Sequence, residues 1–284
     1  MPIVCAVIIT RNAPEDLDLT LRSLTRQSWL DHIVVSDDSD RDFHDKTADV
    51  AGTYGASHVS GPKRGPTPNR INGLRYALSD LPATHVVFAD DDMTISEKAC
   101  ESLGKLICLY PNDILCPLVE DGSNGPLYHP GEVNWRGFRS RYAPENGGYG
   151  LSDNFMIWPS QVALDVDWDD TFIYGYSEAW VGYQAKRNGT NIRILKDVVI
   201  LHRHPGRNSG GLDKKMVEPA RVYYNFLIKR ESRGPLNAFA LLLGDALWTS
   251  STRILRGQNA FGLYGRLMPV LLKRWSPTLT RIVQ

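Results

Sequence analysis

No stretch of the sequence approaches the roughly 20 consecutive apolar residues that span a bilayer. The apolar run Ile3 to Ile9 is too short for a signal peptide and lacks a basic flank. These absences lead to the expectation of a cytoplasmic protein. Cysteine is scarce. Cys5, Cys100, Cys108 and Cys116 form no C-x-x-C pair and have no histidine cluster beside them, which excludes a zinc ribbon and leaves buried or free thiols. Net charge is also missing, with 32 Lys and Arg against 32 Asp and Glu. There is no internal repeat and no low-complexity segment.

What is present is an alternation of strand and helix signals. Ile3 to Ile9 reads as a strand buried on both faces. Asn12 and Pro14 open a helix with Leu17, Leu21 and Leu24 on one side. Ile33-Val34-Val35 is a second strand, running into Ser36-Asp37-Asp38-Ser39-Asp40, and Ala56 to Val59 a short third. A helix carrying Ile71, Leu74 and Leu78 follows, then the strand Val86-Val87-Phe88-Ala89. Ser96 caps a helix that stops at Pro111. This order predicts an α/β fold with a mostly parallel sheet flanked by helices, whose ligand site lies at the carboxyl ends of the strands. Thr10-Arg11, Asp37-Asp38 and Asp90-Asp91-Asp92 all follow strand ends.

Three adjacent carboxylates repel one another unless a cation or solvent compensates them. In extended backbone Asp90 and Asp92 point the same way. Such a pair suits a hard divalent metal, Mn²⁺ or Mg²⁺, able to neutralise a diphosphate leaving group. Further on, a helix is predicted from about Glu178 to Asn188, ended by Gly189. His202-Arg203-His204 follows the predicted strands Ile192–Leu195 and Val198–Leu201, and in an extended chain its two histidines would share a side.

In its motifs the chain resembles the inverting glycosyltransferases of family 2, which have the GT-A fold. The resemblance covers about residues 3 to 230. It rests on Val7-Ile8-Ile9-Thr10-Arg11-Asn12 with Leu21-Arg22-Ser23-Leu24, on Val34-Val35-Ser36-Asp37-Asp38-Ser39, on Arg70-Ile71-Asn72-Gly73-Leu74, and on the D-x-D run Phe88-Ala89-Asp90-Asp91-Asp92. By that resemblance Thr10 and Asp37, or Asp38 in its place, meet the nucleotide base. Arg11, Asn72 and Asp91 line the same nucleotide-sugar site, and Arg70 sits near the diphosphate. Asp90 meets the ribose or the metal, and Asp92 binds the metal with His202 or His204. The donor implied is a UDP- or dTDP-sugar.

The segment Gly175-Tyr176-Ser177-Glu178-Ala179-Trp180 resembles the family's run that ends in Glu-Asp, which makes Glu178 the general base for the acceptor hydroxyl. Ser177, Trp180 and Gln184 depart from that pattern. Asp169 and Asp170 are lesser candidates. Trp158, Tyr176, Trp180 and Asp153 are expected to line the acceptor site, in an aromatic and Gly-rich middle region from Glu120 to Tyr176.

From Arg221 onward ten Lys and Arg stand against Glu231 and Asp245, interleaved with Phe239, Leu242, Leu243, Leu247 and Trp248. A basic amphipathic extension of this kind fits an anionic membrane surface at the inner face of the cell membrane, or a packing interface in a homo-oligomer. The acidic remainder argues against nucleic acid. The domain reading is a catalytic domain over 1–220, divided near 95 into donor and acceptor halves, and a helical extension over 221–284. Tyr223-Tyr224-Asn225 and Lys229-Arg230 resemble a segment of bacterial family members that build surface polysaccharides, with glycan or lipid-linked acceptors. Two rivals remain: a sugar-phosphate nucleotidyltransferase, whose early Gly-rich loop with lysine is missing after Ile9, and a non-catalytic carbohydrate-binding protein of the same fold.

Overall fold

The computed structural model describes residues 1–122, 124–139, 148–151, 154–173, 175–204, 217–255, 267 and 269–271. Strand β1 (Val4–Thr10) is buried along its whole length, as its unbroken apolar sequence requires. It lies between β2 (His32–Asp37) and β4 (His85–Asp90), parallel to both, and β3 (Ser57–Ser60) extends the parallel set beyond β2. Ile9 stands opposite Asp90, and Thr10 opposite Asp37. The polar strand ends therefore emerge at one level, side by side.

Beyond β4 the sheet changes character. The described strands also include β5 (Met93–Ile95), β6 (Ile114–Asp121), β7 (Leu127–Tyr128), β8 (Phe155–Pro159) and β9 (Ile192–His202). Their order across the sheet is β3-β2-β1-β4-β8-β6-β9-β5, with β7 beside β6. β8 runs antiparallel to β4 and β6, β9 parallel to β6, and β5 antiparallel to β9. The two short strands expected around Ile192–Leu201 are one strand, offset against β6 at Pro117/Leu118, where proline cannot donate to the ladder.

Alternation along β1 divides the core. Val4, Ala6 and Ile8 face a cluster built with α1 (Pro14–Leu24) and α4 (Glu97–Leu109) through Leu17, Leu21, Leu103 and Ile107. Cys5 and Val7 face the other cluster, built with α3 (Pro66–Ser79), α6 (Ser177–Arg187) and α7 (Val217–Arg233). Helix α2 (Arg41–Thr53) buries only Thr47 and Ala51. Helix α5 (Ser160–Leu164) is a short turn after β8. α3 lies so close to the sheet that a Cβ at Gly73 would stand 2.5 Å from Val7 and 3.2 Å from Ser36.

The boundary expected at Arg221 falls inside α7, whose residues Pro219 to Ile228 are all buried. Arg221 and Asp245, each about 2% exposed, pair at 3.0 Å and tie α7 to α8 (Pro235–Leu255). Arg136 reaches the same carboxylate at 3.1 Å. On α8 only part of the apolar set is covered: Leu242 is buried, whereas Leu236, Phe239, Leu243, Leu247 and Trp248 are exposed. Among the described residues no helix is long and apolar enough to cross a membrane. Arg256, Arg266, Lys273, Arg274 and Arg281 lie outside the described residues.

Candidate active site

The centre of the site is formed by side chains from two distant parts of the chain. Asp90 ends β4, and Asp92 lies in the turn to β5. β5 pairs with the end of β9, with Met93 opposite His202. That pairing carries the histidine to the acidic turn. One ligand atom from each of Asp90, Asp92 and His202 lies within 4.8 Å of the other two. His202 Nε2 is 3.2 Å from Asp92, and Nδ1 is 2.8 Å from Asp121 at the end of β6. Asn154 also approaches Nδ1, at 3.3 Å, and its carbonyl accepts from the Asp90 N–H. A ring held by one nitrogen and aimed with the other is the usual arrangement of a ligating histidine. Burial alone would disfavour the imidazolium. Hydrogen bonds and charge from Asp92, then Asp121, outweigh it and raise His202 to about 9. In effect a proton offsets the converging carboxylates.

Arg203 fixes the turn itself. Its guanidinium donates to the carbonyls of Met93 (2.7 Å), Asp16 (2.8 Å) and Asp91 (3.1 Å), and its N–H donates to the Asp92 carbonyl. His204, the alternative metal ligand, turns away to Asp16 on α1 at 3.1 Å and is half exposed. This corrects the expectation that both histidines share a side. The chain leaves strand geometry after His202, so the alternation that would align them ends there.

Arg70, buried on α3, donates to Asp90 at 2.9 Å. Asp91 accepts the Thr10 hydroxyl at 2.6 Å. Burial, followed by the charges of Asp92 and Asp90, pushes Asp91 up to about 7. Arg11 is exposed at the rim, 3.8 Å from Asp40.

The other residues expected at the nucleotide are engaged within the protein. Asp37 is fully buried and accepts from the Ser39 N–H and meets His58 at 3.0 Å. Burial works against its charge, but those partners hold its carboxyl below the usual range. Asp38 accepts from the N–H groups of Lys63 and Gly65, and burial raises it. The Asn72 amide donates to Ser36 Oγ and the Ser60 carbonyl. In this arrangement Thr10, Asp37, Asp38 and Asn72 brace the rim.

Glu178 lies in the first turn of α6, which starts from Tyr176 in the left-handed region at φ 63°. Ser177 Oγ stands 3.4 Å from Thr67 Oγ1 on α3, one turn before Arg70. A short path of contacts thus joins the helix bearing Glu178 to Arg70 and Asp90. Glu178 is also close enough to Tyr176 and Tyr224 for its charge to raise both phenols, although burial is the larger cause for each.

Asp169 is buried and accepts the Tyr223 hydroxyl at 2.8 Å, while Asp170 pairs with Arg64 at the surface. Trp158 and Trp180, expected at the acceptor, belong to the core cluster that packs on one face of the sheet. Both are buried, Trp158 on β8 opposite Val86 and Trp180 stacked on Tyr183. Two large apolar rings stabilise a core more than they can be spared for a surface. Tyr176 is half-buried, and Asp153 lies outside the described residues.

The profile of the family described as "Glycosyl transferase family 2" matches residues 5–158. No curated protein sequence matches the chain. Among solved structures, the chain is similar to S. aureus TarS 1-349, with TM-score 0.58, 16% identity, and coverage of 84% of this chain and 69% of that one. The same protein in complex with UDP-GlcNAc gives TM-score 0.60 at 14% identity, covering 84% and 70%. GalNAc-T7 with UDP, GalNAc and Mn²⁺ gives TM-score 0.65 at 13% identity; 81% of this chain is covered but only 48% of that one. These likenesses bear out the GT-A type of α/β fold. The family profile spans more than half of the sequence, from the first strand through the acidic turn to Trp158, and the chain therefore belongs to glycosyl transferase family 2 and is a glycosyltransferase.

Proposed function

We propose that the protein is an inverting, metal-dependent transferase that moves a sugar from a UDP- or dTDP-sugar to a hydroxyl of a glycan or lipid-linked acceptor in bacterial surface polysaccharide synthesis. The observation that carries the reading is the convergence of Asp90, Asp92 and His202. Two carboxylate oxygens and one imidazole suit Mn²⁺ or Mg²⁺. The raised His202 fits as well, because the site already attracts a positive charge. When bound, such an ion supplies charge neutralisation for a departing nucleoside diphosphate. Mn²⁺ in GalNAc-T7 and UDP-GlcNAc in TarS support this choice by likeness of fold.

The chain's own residues have distinct tasks. Asp121 and Asn154 hold the His202 ring, and Arg203 holds the turn. Arg70 presents a fixed guanidinium beside Asp90, where it can meet phosphate oxygens. Glu178 takes the proton of the acceptor hydroxyl as its oxygen attacks the anomeric carbon from the face opposite the leaving group, so one displacement inverts that centre. The exposed face of α8 and the basic sequence beyond it support an acceptor met at a membrane surface.

A thermal-shift screen of UDP-, GDP- and dTDP-sugars with Mn²⁺ tests the reading, since a ligand that binds the folded state raises its melting temperature. The UDP- or dTDP-sugar should stabilise the wild type, and the Mn²⁺-dependent part of the shift should vanish in Asp92→Ala. Absence of any nucleotide-sugar shift would overturn the donor assignment.

A further inference from the structure

A second convergence of ligand-bearing side chains lies away from the acidic turn, at the other end of the sheet. Asp37 closes β2, His44 stands in the first turn of α2, and His58 lies on β3, the edge strand. One ligand atom of each is within 4.8 Å of the other two. The rings of His44 and His58 meet edge to face, with centroids 4.9 Å apart. We propose that Asp37, His44 and His58 bind a divalent cation of the Zn²⁺ class, at a site separate from the Asp90–Asp92–His202 centre.

The donor set argues for that class of ion. Two imidazoles and one carboxylate form an N₂O set that matches zinc, leaving a fourth position for water or the Ser60 hydroxyl. Ser60 Oγ is 3.2 Å from His44 Nε2. The hard ions suited to the oxygen-rich centre bind such nitrogen sets poorly. The carboxylate is favourable in its own right. Asp37 is fully buried, yet it is held ionised by its partners. His44 Nδ1 faces Asp45 at 3.6 Å, which turns Nε2 toward Ser60 and the site. The His44 side chain is 32% exposed and that of His58 17%, so an ion can enter from solvent. The same contacts without an ion would amount to a His58–Asp37 hydrogen bond with a neighbouring ring.

The three ligands come from a strand end, a helix and an edge strand. A bound ion would cross-link the short β3 and the largely polar α2 to the parallel sheet, where hydrophobic burial contributes little. The proposal rests on this corner of the fold and not on the donor reading.

The full chain can be titrated with Zn²⁺ by competition against a chromophoric chelator, in excess Mg²⁺ to fill the oxygen-rich centre. One equivalent should bind to the wild type and to Asp92→Asn. Affinity should fall at least about tenfold in His44→Gln and in His58→Gln. Substituted Co²⁺ should give visible absorption bands that both histidine variants lose and Asp92→Asn keeps. Melting curves of the metal-free variants check folding, and His44→Gln leaves the His58–Asp37 contact intact. No zinc uptake by the wild type, equal uptake by both histidine variants, or loss confined to Asp92→Asn would each overturn the proposal. None of those results bears on sugar transfer, which is read through Asp92 in Mn²⁺.

Discussion

Strands β3, β2, β1 and β4 run parallel and deliver their polar ends to one level, whereas beyond β4 the sheet is mixed, with β6 and β9 parallel to each other and the remaining neighbours antiparallel. In the parallel half, position along the chain translates directly into position at the rim, as Thr10 opposite Asp37 and Ile9 opposite Asp90 show. In the mixed half it does not. His202 arrives beside Asp92 only because β9 pairs with the three-residue β5, and α7 enters the core through a buried Arg221–Asp245 pair. On the proposed reading the first half supplies Arg70 and Asp90 on the diphosphate side, and the second supplies His202 and the acceptor-side residues Glu178 and Tyr176.

The sharpest way to break that division is at the acidic turn. Asp92→Ala should lower transfer by roughly 10³- to 10⁴-fold, the scale of losing a charge-neutralising ion, with an unchanged circular dichroism spectrum. Glu178→Gln should cost roughly 10²- to 10⁴-fold in kcat while leaving donor affinity within about twofold. Single-turnover rates and donor titrations separate those two effects. If Glu178→Gln weakened donor binding as much as turnover, the acceptor-side assignment would be wrong.

Asp245→Ala tests the other half by stability. Removing one partner of a buried pair typically costs about 3–5 kcal/mol, which a denaturant midpoint reports. The parallel half should be less sensitive to a small overpacking change. Gly73→Ala, which sets a methyl against Val7, should cost about 1–3 kcal/mol.

The remaining effect expected is one of pH. His202 titrates near 9 when folded, above the ordinary 6.5, so the stability it contributes is fully present below about 6.5 and fades as pH rises through about 9. A bound cation must displace that proton. Mn²⁺ affinity should therefore rise about tenfold per pH unit between 7 and 9, with release of one proton. Calorimetry in buffers of different ionisation enthalpy measures it. A flat profile would show that His202 is already neutral.

What could be read from the sequence follows the same division. β1, α1, β2 and β4 have clean periodicity, Ser96 caps α4 through the Ala99 N–H, and Gly189 ends α6 at φ 90°. Helix α2 gave no signal because it buries only Thr47 and Ala51. β6 is interrupted by Pro117, and β8 is five residues long amid aromatic sequence, so neither stood out. The burial of Trp158 and Trp180 was not legible, because a sequence does not say which aromatic rings are needed inside. Asp92 and His202 were legible by type, but Asp121, Asn154 and Arg203 were not. Their work depends on where strands end relative to one another, although a carboxylate closing an apolar run, as Asp121 does, was a usable hint.

Arg203 has a thermal consequence of its own. One guanidinium joins a carbonyl of α1 to the turn that presents Asp92, and its neighbour in the chain is His202, the proposed third ligand. The first helix and the ligand turn share a fastening, so neither can fray alone. On heating, exchange of the α1 amides with deuterium and loss of Mn²⁺ should begin at the same temperature, as one event.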